Sequence, residues 1–195
     1  MKWGIVINKQ ITPSEGDESM NKETNVHTLD VKQYTLSILV RNHAGVLSHV
    51  AGLFTRRGYN IESISAGITE NPEITRITIV VTGDNRIMEQ AIKQCRKLVD
   101  VIKVTNLKYN EAVTRELALI VVKANIENRS RIIEIADVFD AKIVDMAEEA
   151  ILLEVTGNIR KINSIIQLLS PFGIEEIGRT GMVALKTRSA IPAIN

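Results

Sequence analysis

The chain has 195 residues, of which 45% are hydrophobic and 24% charged, a composition typical of a globular protein rather than a disordered or fibrous one. Its 24 basic and 23 acidic residues give a formal net charge of +1, and only 4% of residues are aromatic, which disfavours a nucleic-acid partner. The longest apolar run, residues 117–122, is too short to span a membrane, and the apolar patch at residues 3–7 is too short for a signal peptide. These features predict a cytoplasmic protein that contacts neither nucleic acid nor membrane.

Residues 1–33 show no sustained apolar period, and Pro13, Ser14 and Gly16 cluster within them. This pattern is typical of an extension outside a folded core. Met20 offers an alternative start of translation within it.

In residues 34–108 the spacing of apolar residues alternates between the period of two of a strand and the period near 3.6 of a helix. Asn42 is the expected N-cap of the first helix, and Gly58 follows its end. The predicted elements are, in order, a strand at 34–40, a helix through 46–54, strands at 61–68 and 74–81, a helix that opens at 83–85, and a strand at 101–107.

The same order recurs in residues 116–188, where Ser130 is the expected cap of the first helix. The tripeptide Val81-Thr82-Gly83 precedes the second helix of the first half, and Val155-Thr156-Gly157 precedes its counterpart. The predicted elements are strands at 117–122, 143–147 and 151–155, a helix at 158–169, and closing strand material at 174–177 and 182–185.

The two halves predict an α+β protein of two tandem ferredoxin-like βαββαβ domains, each an antiparallel sheet with helices on one face. The predicted domains are residues 34–108 and 116–188, joined by a linker at 109–115 and followed by a tail at 189–195. Each domain has a thin core and exposed sheet edges, which favours a homodimer or a larger homo-oligomer.

No pattern of catalytic or metal-binding residues is present. The three histidines lack the spacing of metal ligands, and the single cysteine, Cys95, falls on the apolar stripe of the second helix. The adjacent glutamates at 148–149 and 175–176 would point to opposite faces of a strand, so neither pair forms an acid/base dyad. The sequence therefore predicts no catalytic residue and no metal site.

The most informative segment runs from Arg41 to Ser48, where a predicted strand passes into a helix with Gly45 in the first turn. A glycine there leaves room for a ligand, and the free amides and positive dipole of the helix start attract a carboxylate. The Asn42 amide can both donate to a carboxylate and accept from an ammonium group, which suits a free amino acid. The alternative is structural: Asn42 only caps the helix and Gly45 only allows close packing.

The run from Asn42 to Ser48, the run Gly52-Leu-Phe-Thr-Arg-Arg-Gly-Tyr-Asn-Ile-Glu-Ser63, and Leu98-Val-Asp-Val101 resemble the signature of the small regulatory subunits of acetolactate synthase (acetohydroxyacid synthase). The resemblance covers about residues 34–186. That family belongs to the ACT-domain group, whose first domains pair edge to edge and bind an effector amino acid between subunits. Valine is the usual effector of the family.

By this resemblance, the effector pocket is formed by residues of two subunits. Asn42, Gly45, Val46 and Leu47 would come from one subunit, and Asn60 and Ile61 from the other. Ser48, one helical step behind, would support the loop. Because a methylene group is worth only about 1 to 3 kcal/mol in an apolar pocket, leucine or isoleucine can compete with valine.

The resemblance also implies the partners and cofactors. The chain would bind and activate a large catalytic subunit that carries thiamine diphosphate, FAD and magnesium, and would hold no cofactor itself. The second domain lacks a glycine at the equivalent helix entry, residues 123–128, so no duplicate effector site is expected there. Two alternatives remain at this level: a free-standing amino-acid-sensing regulator of another enzyme, and a stand-alone ferredoxin-like enzyme.

Overall fold

A computed structural model describes residues 32–188 of the chain. They form two antiparallel sheets. The first sheet contains, in spatial order, β2 (Asn60–Ile68), β3 (Ile74–Gly83), β1 (Lys32–Arg41) and β4 (Val101–Leu107). The second contains β6 (Lys142–Met146), β7 (Ala150–Gly157), β5 (Ala112–Lys123) and β8 (Ile174–Arg179), and β9 (Val183–Lys186) also pairs with β5. This arrangement confirms the prediction of two tandem ferredoxin-like domains. Among residues 32–188, none of the helices has the length and apolar character that a membrane span requires.

The first domain contains four strands and two helices. Because successive side chains of a strand point to opposite faces, each strand directs a row of aliphatic side chains toward the helices and a more polar row to the opposite face. The elements are β1 (Lys32–Arg41), α1 (Val46–Arg56), β2 (Asn60–Ile68), β3 (Ile74–Gly83), α2 (Asn85–Cys95) and β4 (Val101–Leu107).

The core of the first domain lies between the sheet and the two helices. Leu36, Ile38 and Val40 of β1 are fully buried there, and Phe54 of α1 is packed edge-on against Tyr59, with ring centroids 5.9 Å apart. Because α2 ends at Cys95, the chain turns before β4, and Val99 in this turn is 88% exposed.

The second domain repeats this plan. Its core includes Ile120, Ile132, Leu153 and Ile162, all fully buried. The elements are β5 (Ala112–Lys123), α3 (Arg129–Val138), β6 (Lys142–Met146), β7 (Ala150–Gly157), α4 (Ile159–Leu169), β8 (Ile174–Arg179) and β9 (Val183–Lys186).

Two predicted helix caps are wrong. The N-cap of α1 is Gly45 rather than Asn42, because the positive φ of 87° at Gly45 turns the chain into the helix while the Asn42 side chain is bonded elsewhere. The N-cap of α3 is Asn128 rather than Ser130, since Asn125 and Asn128 exchange side-chain-to-amide hydrogen bonds before the helix begins.

The predicted linker is largely regular structure. Residues Tyr109–Glu111 form a short 3-10 helix, and residues 112–115 begin β5, where they pair with β9. Of the predicted extension, residues 32 and 33 begin β1, and residues 1–31 lie outside the described part of the chain, as do residues 189–195 of the predicted tail.

The two domains are joined by direct contacts of the β8–β9 loop. The backbone of Met182 accepts a hydrogen bond from Ser65 Oγ at 2.7 Å and donates one to Ser63 Oγ at 3.0 Å. At the base of this loop Arg179 makes a two-pronged ion pair with the buried Glu116, with N–O distances of 2.7 and 2.8 Å. The second domain is therefore anchored to β2, an edge strand of the first.

Candidate effector site

The loop between β1 and α1 forms the first half of the predicted site. The backbone amide of Asn42 donates to the carbonyl of Glu73 at 2.7 Å, and the backbone amide of Arg41 donates to the carbonyl of Asp100 at 2.9 Å. The loop is thus fixed from two sides, by the β2–β3 turn and by the start of β4. A helix start held in this way keeps its amides in place before a ligand arrives.

The side chain of Asn42 connects the β1–α1 loop to the β2–β3 turn and to the start of β3. Its Nδ2 donates to the carbonyl of Pro72 at 2.8 Å, and its Oδ1 accepts from the Thr75 hydroxyl at 3.0 Å. A side-chain amide has two donor hydrogens and two acceptor lone pairs, so each polar atom retains capacity for one further bond. The exposed Asn42 side chain can therefore hold the loop and contact a ligand at once.

Gly45 provides open space at the helix start. Nothing lies within 4 Å of the position where a Cβ would stand, and its φ of 87° disfavours any residue with a side chain. The following amides of Leu47 and Ser48 have no backbone partner among the described residues, and no side chain caps the helix. These free N–H groups lie at the positive end of the helix dipole and are suited to a carboxylate.

The other predicted residues of this half divide between core and surface. Val46 is 5% exposed and belongs to the hydrophobic core, whereas Leu47 is 42% exposed. Ser48 is exposed on the first turn of the helix. Leu47 is therefore the apolar side chain of this group that remains available to a ligand.

A histidine and an aspartate that the sequence did not assign to the site also lie at the loop. His43 Nε2 is 2.8 Å from Asp100 Oδ1, and His49 Nδ1 is 3.8 Å from Asp100 Oδ2. The hydrogen bond to Asp100 raises the pKa of His43, and the same bond lowers the pKa of Asp100. His43 and Asp100 each lie in one of the signature segments, but only the fold shows that these two segments meet.

Asn60 and Ile61 lie at the opposite end of the first sheet. Asn60 is paired with Thr82, which is paired in turn with Gln33 near the start of β1, whereas the Asn42 loop follows the end of β1. At about 3.3 Å per residue, the nine residues from Gln33 to Asn42 place the two groups roughly 30 Å apart. One chain therefore does not bring all six predicted residues together.

The side chains at this second end of the sheet already make some contacts within the chain. Asn60 Nδ2 donates to Glu62 Oε1 at 2.6 Å, and Thr82 donates to the same oxygen at 3.1 Å. Ile61 packs against the edge of the core. Asn60 is exposed and β2 is an edge strand, so this end can meet a second molecule.

The thiol of Cys95 is buried, and the described residues form no cluster of metal ligands. They contain no group of three or more His, Cys, Asp or Glu side chains arranged to hold a metal ion. Cys95 is fully buried in the first core, and burial raises its pKa to about 11. At neutral pH this thiol stays protonated and unreactive.

Family models match both domains. Residues 36–103 match the AHAS small subunit-like ACT domain, and residues 115–188 match the small subunit of acetolactate synthase. A probable acetolactate synthase small subunit from Archaeoglobus fulgidus is 46% identical over 153 residues, covering 78% of this chain and 96% of that protein. One from Methanothermobacter thermautotrophicus is 47% identical over 157 residues, covering 80% and 94%.

A solved structure shares the architecture. The crystal structure of the acetolactate synthase small subunit from Thermotoga maritima aligns with a TM-score of 0.76 at 40% identity. The alignment covers 82% of this chain and 99% of that chain. The similarity therefore extends over both domains.

Proposed function

Since the chain belongs to the family of acetolactate synthase small subunits, we propose that it is a non-catalytic regulatory subunit that activates the catalytic subunit and confers feedback inhibition by valine. In this proposal the catalytic subunit carries thiamine diphosphate, FAD and magnesium and forms acetolactate from pyruvate. The present chain holds no cofactor and senses an end product of branched-chain amino acid biosynthesis in the cytoplasm.

The start of α1 is the observation that carries the valine-sensing part. The free amides of Leu47 and Ser48 and the open space beside Gly45 suit the carboxylate of an amino acid. The exposed Leu47 side chain suits a branched aliphatic group, and Asn42 retains donor and acceptor capacity for the polar end. Leucine and isoleucine differ from valine by one methylene, so both are expected to compete.

A second copy of the chain completes this pocket in the proposal. Asn60 and Ile61 lie on an exposed edge strand, and an edge strand has free backbone groups that pair with another edge. Pairing of two first domains would carry Asn60 and Ile61 of one copy toward the Asn42 loop of the other. The active form is then a homodimer or a multiple of it.

The edge strand β2 offers a route from the pocket to the second domain. It carries Asn60 and Ile61 at its start, and Ser63 and Ser65 bind the Met182 backbone of the second domain further along. Valine that favours one arrangement of β2 would shift the equilibrium between active and inhibited complexes. In the proposal the second domain takes a large part in contact with the catalytic subunit.

The test combines the full chain with the catalytic subunit of the same organism. Acetolactate formation from pyruvate is expected to rise when the chain is added and to fall again with valine. Gly45→Asp places a carboxylate where the ligand carboxylate binds and is expected to abolish the valine response. Gly45→Asn is the matched control, since asparagine adopts a positive φ at similar cost but carries no charge.

Three outcomes would contradict parts of the proposal. A chain that leaves the catalytic rate unchanged is not its activating subunit. If valine, leucine and isoleucine leave the rate of acetolactate formation by the complex unchanged, the chain has no feedback role. A wild-type valine response in both Gly45→Asp and Gly45→Asn would remove the site from the start of α1. Calorimetric titration of each variant with valine distinguishes loss of binding from loss of its effect on the catalytic rate.

A further inference from the structure

A second cleft lies on the face of the first sheet that points away from its helices. β9 packs over this face against β1 and β4 and leaves a cavity of about 400 Å³ beside it. The floor is formed by Ser37 and Leu39 of β1 and by three of their cross-strand neighbours, Arg76, Lys103 and Thr105. The cleft is separate from the α1 loop, which lies beyond the end of β1.

The strand register places cations and hydroxyl groups in two adjacent rows on this floor. Leu39 is paired with Arg76 on one side and with Lys103 on the other. Because two strand spacings separate these neighbours, their backbones lie about 10 Å apart. In the next row Ser37 is paired with Thr105, and Arg76 donates to the Ser37 hydroxyl at 2.8 Å.

The segment that covers the floor adds two more cations. Lys186 of β9 and Arg188 after it both line the cleft, so that four cationic side chains and no acidic one surround it among the described residues. Lys186 has a carboxylate neighbour, Glu111, at 3.8 Å. Arg76, Lys103 and Arg188 have no carboxylate within 4 Å in the described part of the chain.

The concentration of positive charge in this cleft favours the binding of an anion. The whole sequence has a net charge of +1, yet four cations line one small cleft. Like charges at close range repel, and a bound anion turns this cost into attraction. A phosphate monoester carries about 1.5 to 2 negative charges at pH 7, so two phosphate groups balance four cations.

We infer that this cleft binds a small metabolite bearing a diphosphate or two phosphates. Arg76 and Lys103 lie on opposite sides of the floor and would hold the two phosphate groups, and the hydroxyls of Ser37 and Thr105 would donate to their oxygens. Leu107 and Leu185 line the same cleft and offer apolar contact to the organic part of the ligand. The inference does not depend on valine binding at the α1 loop.

The test uses the full chain and inorganic pyrophosphate as the probe, by calorimetric titration at about 50 mM salt, where charge interactions are weakly screened. Lys103→Gln and Arg188→Gln are each expected to weaken binding about tenfold, the effect of one charge-assisted hydrogen bond. Both side chains are exposed, so these variants should fold. Lys142→Gln, an exposed charge change on β6 of the second domain, is the matched control and should leave the affinity unchanged.

Citrate, a carboxylate polyanion, is titrated in parallel and is expected to bind more weakly than pyrophosphate. No heat of pyrophosphate binding at about 1 mM ligand, a concentration that detects even weak affinities, would overturn the inference. It would also fail if Lys142→Gln weakened binding as much as Lys103→Gln, which would indicate general surface charge. Equal affinity for citrate would contradict the preference for phosphate.

Discussion

The hydroxyl of Ser65 in β2 donates to the backbone carbonyl of Met182, 2.7 Å away, although 117 positions separate the two residues in the sequence. This bond and its neighbour from Met182 N to Ser63 Oγ join an edge strand of the first domain to the β8–β9 loop of the second. The loop can approach so closely because Gly181 has no side chain. A Cβ at Gly181 would lie 2.7 Å from Ser63 Oγ and 3.1 Å from the carbonyl oxygen of Ile64.

We expect Gly181→Ala to lower the free energy of unfolding by about 2 to 4 kcal/mol, because it combines a positive φ of 77° with a clash against the Ser63 hydroxyl and a tight approach to the Ile64 carbonyl. Urea denaturation followed by circular dichroism measures the change. Gly178→Ala is the control: its Cβ would meet nothing within 4 Å, so we expect a change below about 0.5 kcal/mol. Equal effects of the two substitutions would contradict a tight domain contact at Gly181.

Glu116→Gln tests the ion pair at the base of the same loop. The Glu116 side chain is 5% exposed, and its hydrogen bond to Arg179 raises the pKa of the arginine. Removal of one partner from a fully buried pair lowers the free energy of unfolding by about 3 to 5 kcal/mol. We expect a loss of about 1 to 3 kcal/mol for Glu116→Gln, because Arg179 is 35% exposed and partly hydrated.

The control for this pair is Glu111→Gln. Glu111 lies 3.8 Å from Lys186 and 4.0 Å from Lys108, but its side chain is 40% exposed, so we expect about 0.5 kcal/mol or less. Thermal or urea unfolding of both variants provides the comparison. A loss at Glu116 no larger than that at Glu111 would show that burial adds nothing to the Glu116–Arg179 pair.

The His43–Asp100 pair predicts a pH dependence. Because its pKa is raised in the folded chain, His43 stabilises the fold below its unfolded pKa, and this contribution disappears as pH rises through the folded pKa. The pKa of Asp100 is lowered, so its contribution disappears as pH falls through that lower value. The pair therefore contributes fully between the unfolded pKa of the aspartate and the unfolded pKa of the histidine, and its contribution is lost outside the two folded values.

An NMR titration of the His43 ring checks this. The pKa should lie above about 6.5 in the wild-type chain and fall toward that value in Asp100→Asn. Asp137→Asn, a neutralisation of an exposed carboxylate on α3, should leave the His43 titration unchanged. A His43 pKa that does not respond to Asp100→Asn would mean that the 2.8 Å contact does not persist in solution.

Cys95 allows a direct test of the first core. The thiol is fully buried, and burial raises its pKa to about 11, so the folded chain should react only slowly with iodoacetamide at about pH 8. The same chain in denaturing urea is the control and should react completely, since it contains a single cysteine. Rapid labelling of the folded protein would show that α2 opens readily.

Several features could be predicted from local sequence alone. Alternation of apolar residues located β1, and the 3.6-residue period located α1, because each pattern fixes which face of an element can be buried. The matching tripeptides Val81-Thr82-Gly83 and Val155-Thr156-Gly157 end β3 and β7 just before a helix in each domain. The internal repeat and the family were therefore evident without coordinates, and the family models confirm the resemblance.

The hydrogen-bond partners of individual polar side chains were harder to predict from the sequence. Asn42 and Ser130 are good helix caps by residue type, but Thr75 and Pro72 compete for Asn42, and an asparagine turn precedes Ser130. Thr75, the more distant of the two partners of Asn42, is 33 residues away. Capping rules describe only local alternatives, so they could not anticipate it.

The sequence by itself determined the two domains, their order of strands and helices, the glycine at the start of α1 and the absence of a catalytic pattern. Only the tertiary structure decided that β9 pairs with residues 112–115 and packs over the first domain. The same holds for the meeting of Arg76 with Lys186 in one cleft and of Glu116 with Arg179, 63 positions apart. Periodicity constrains the faces of an element, whereas partners between elements depend on the register and packing of the whole chain.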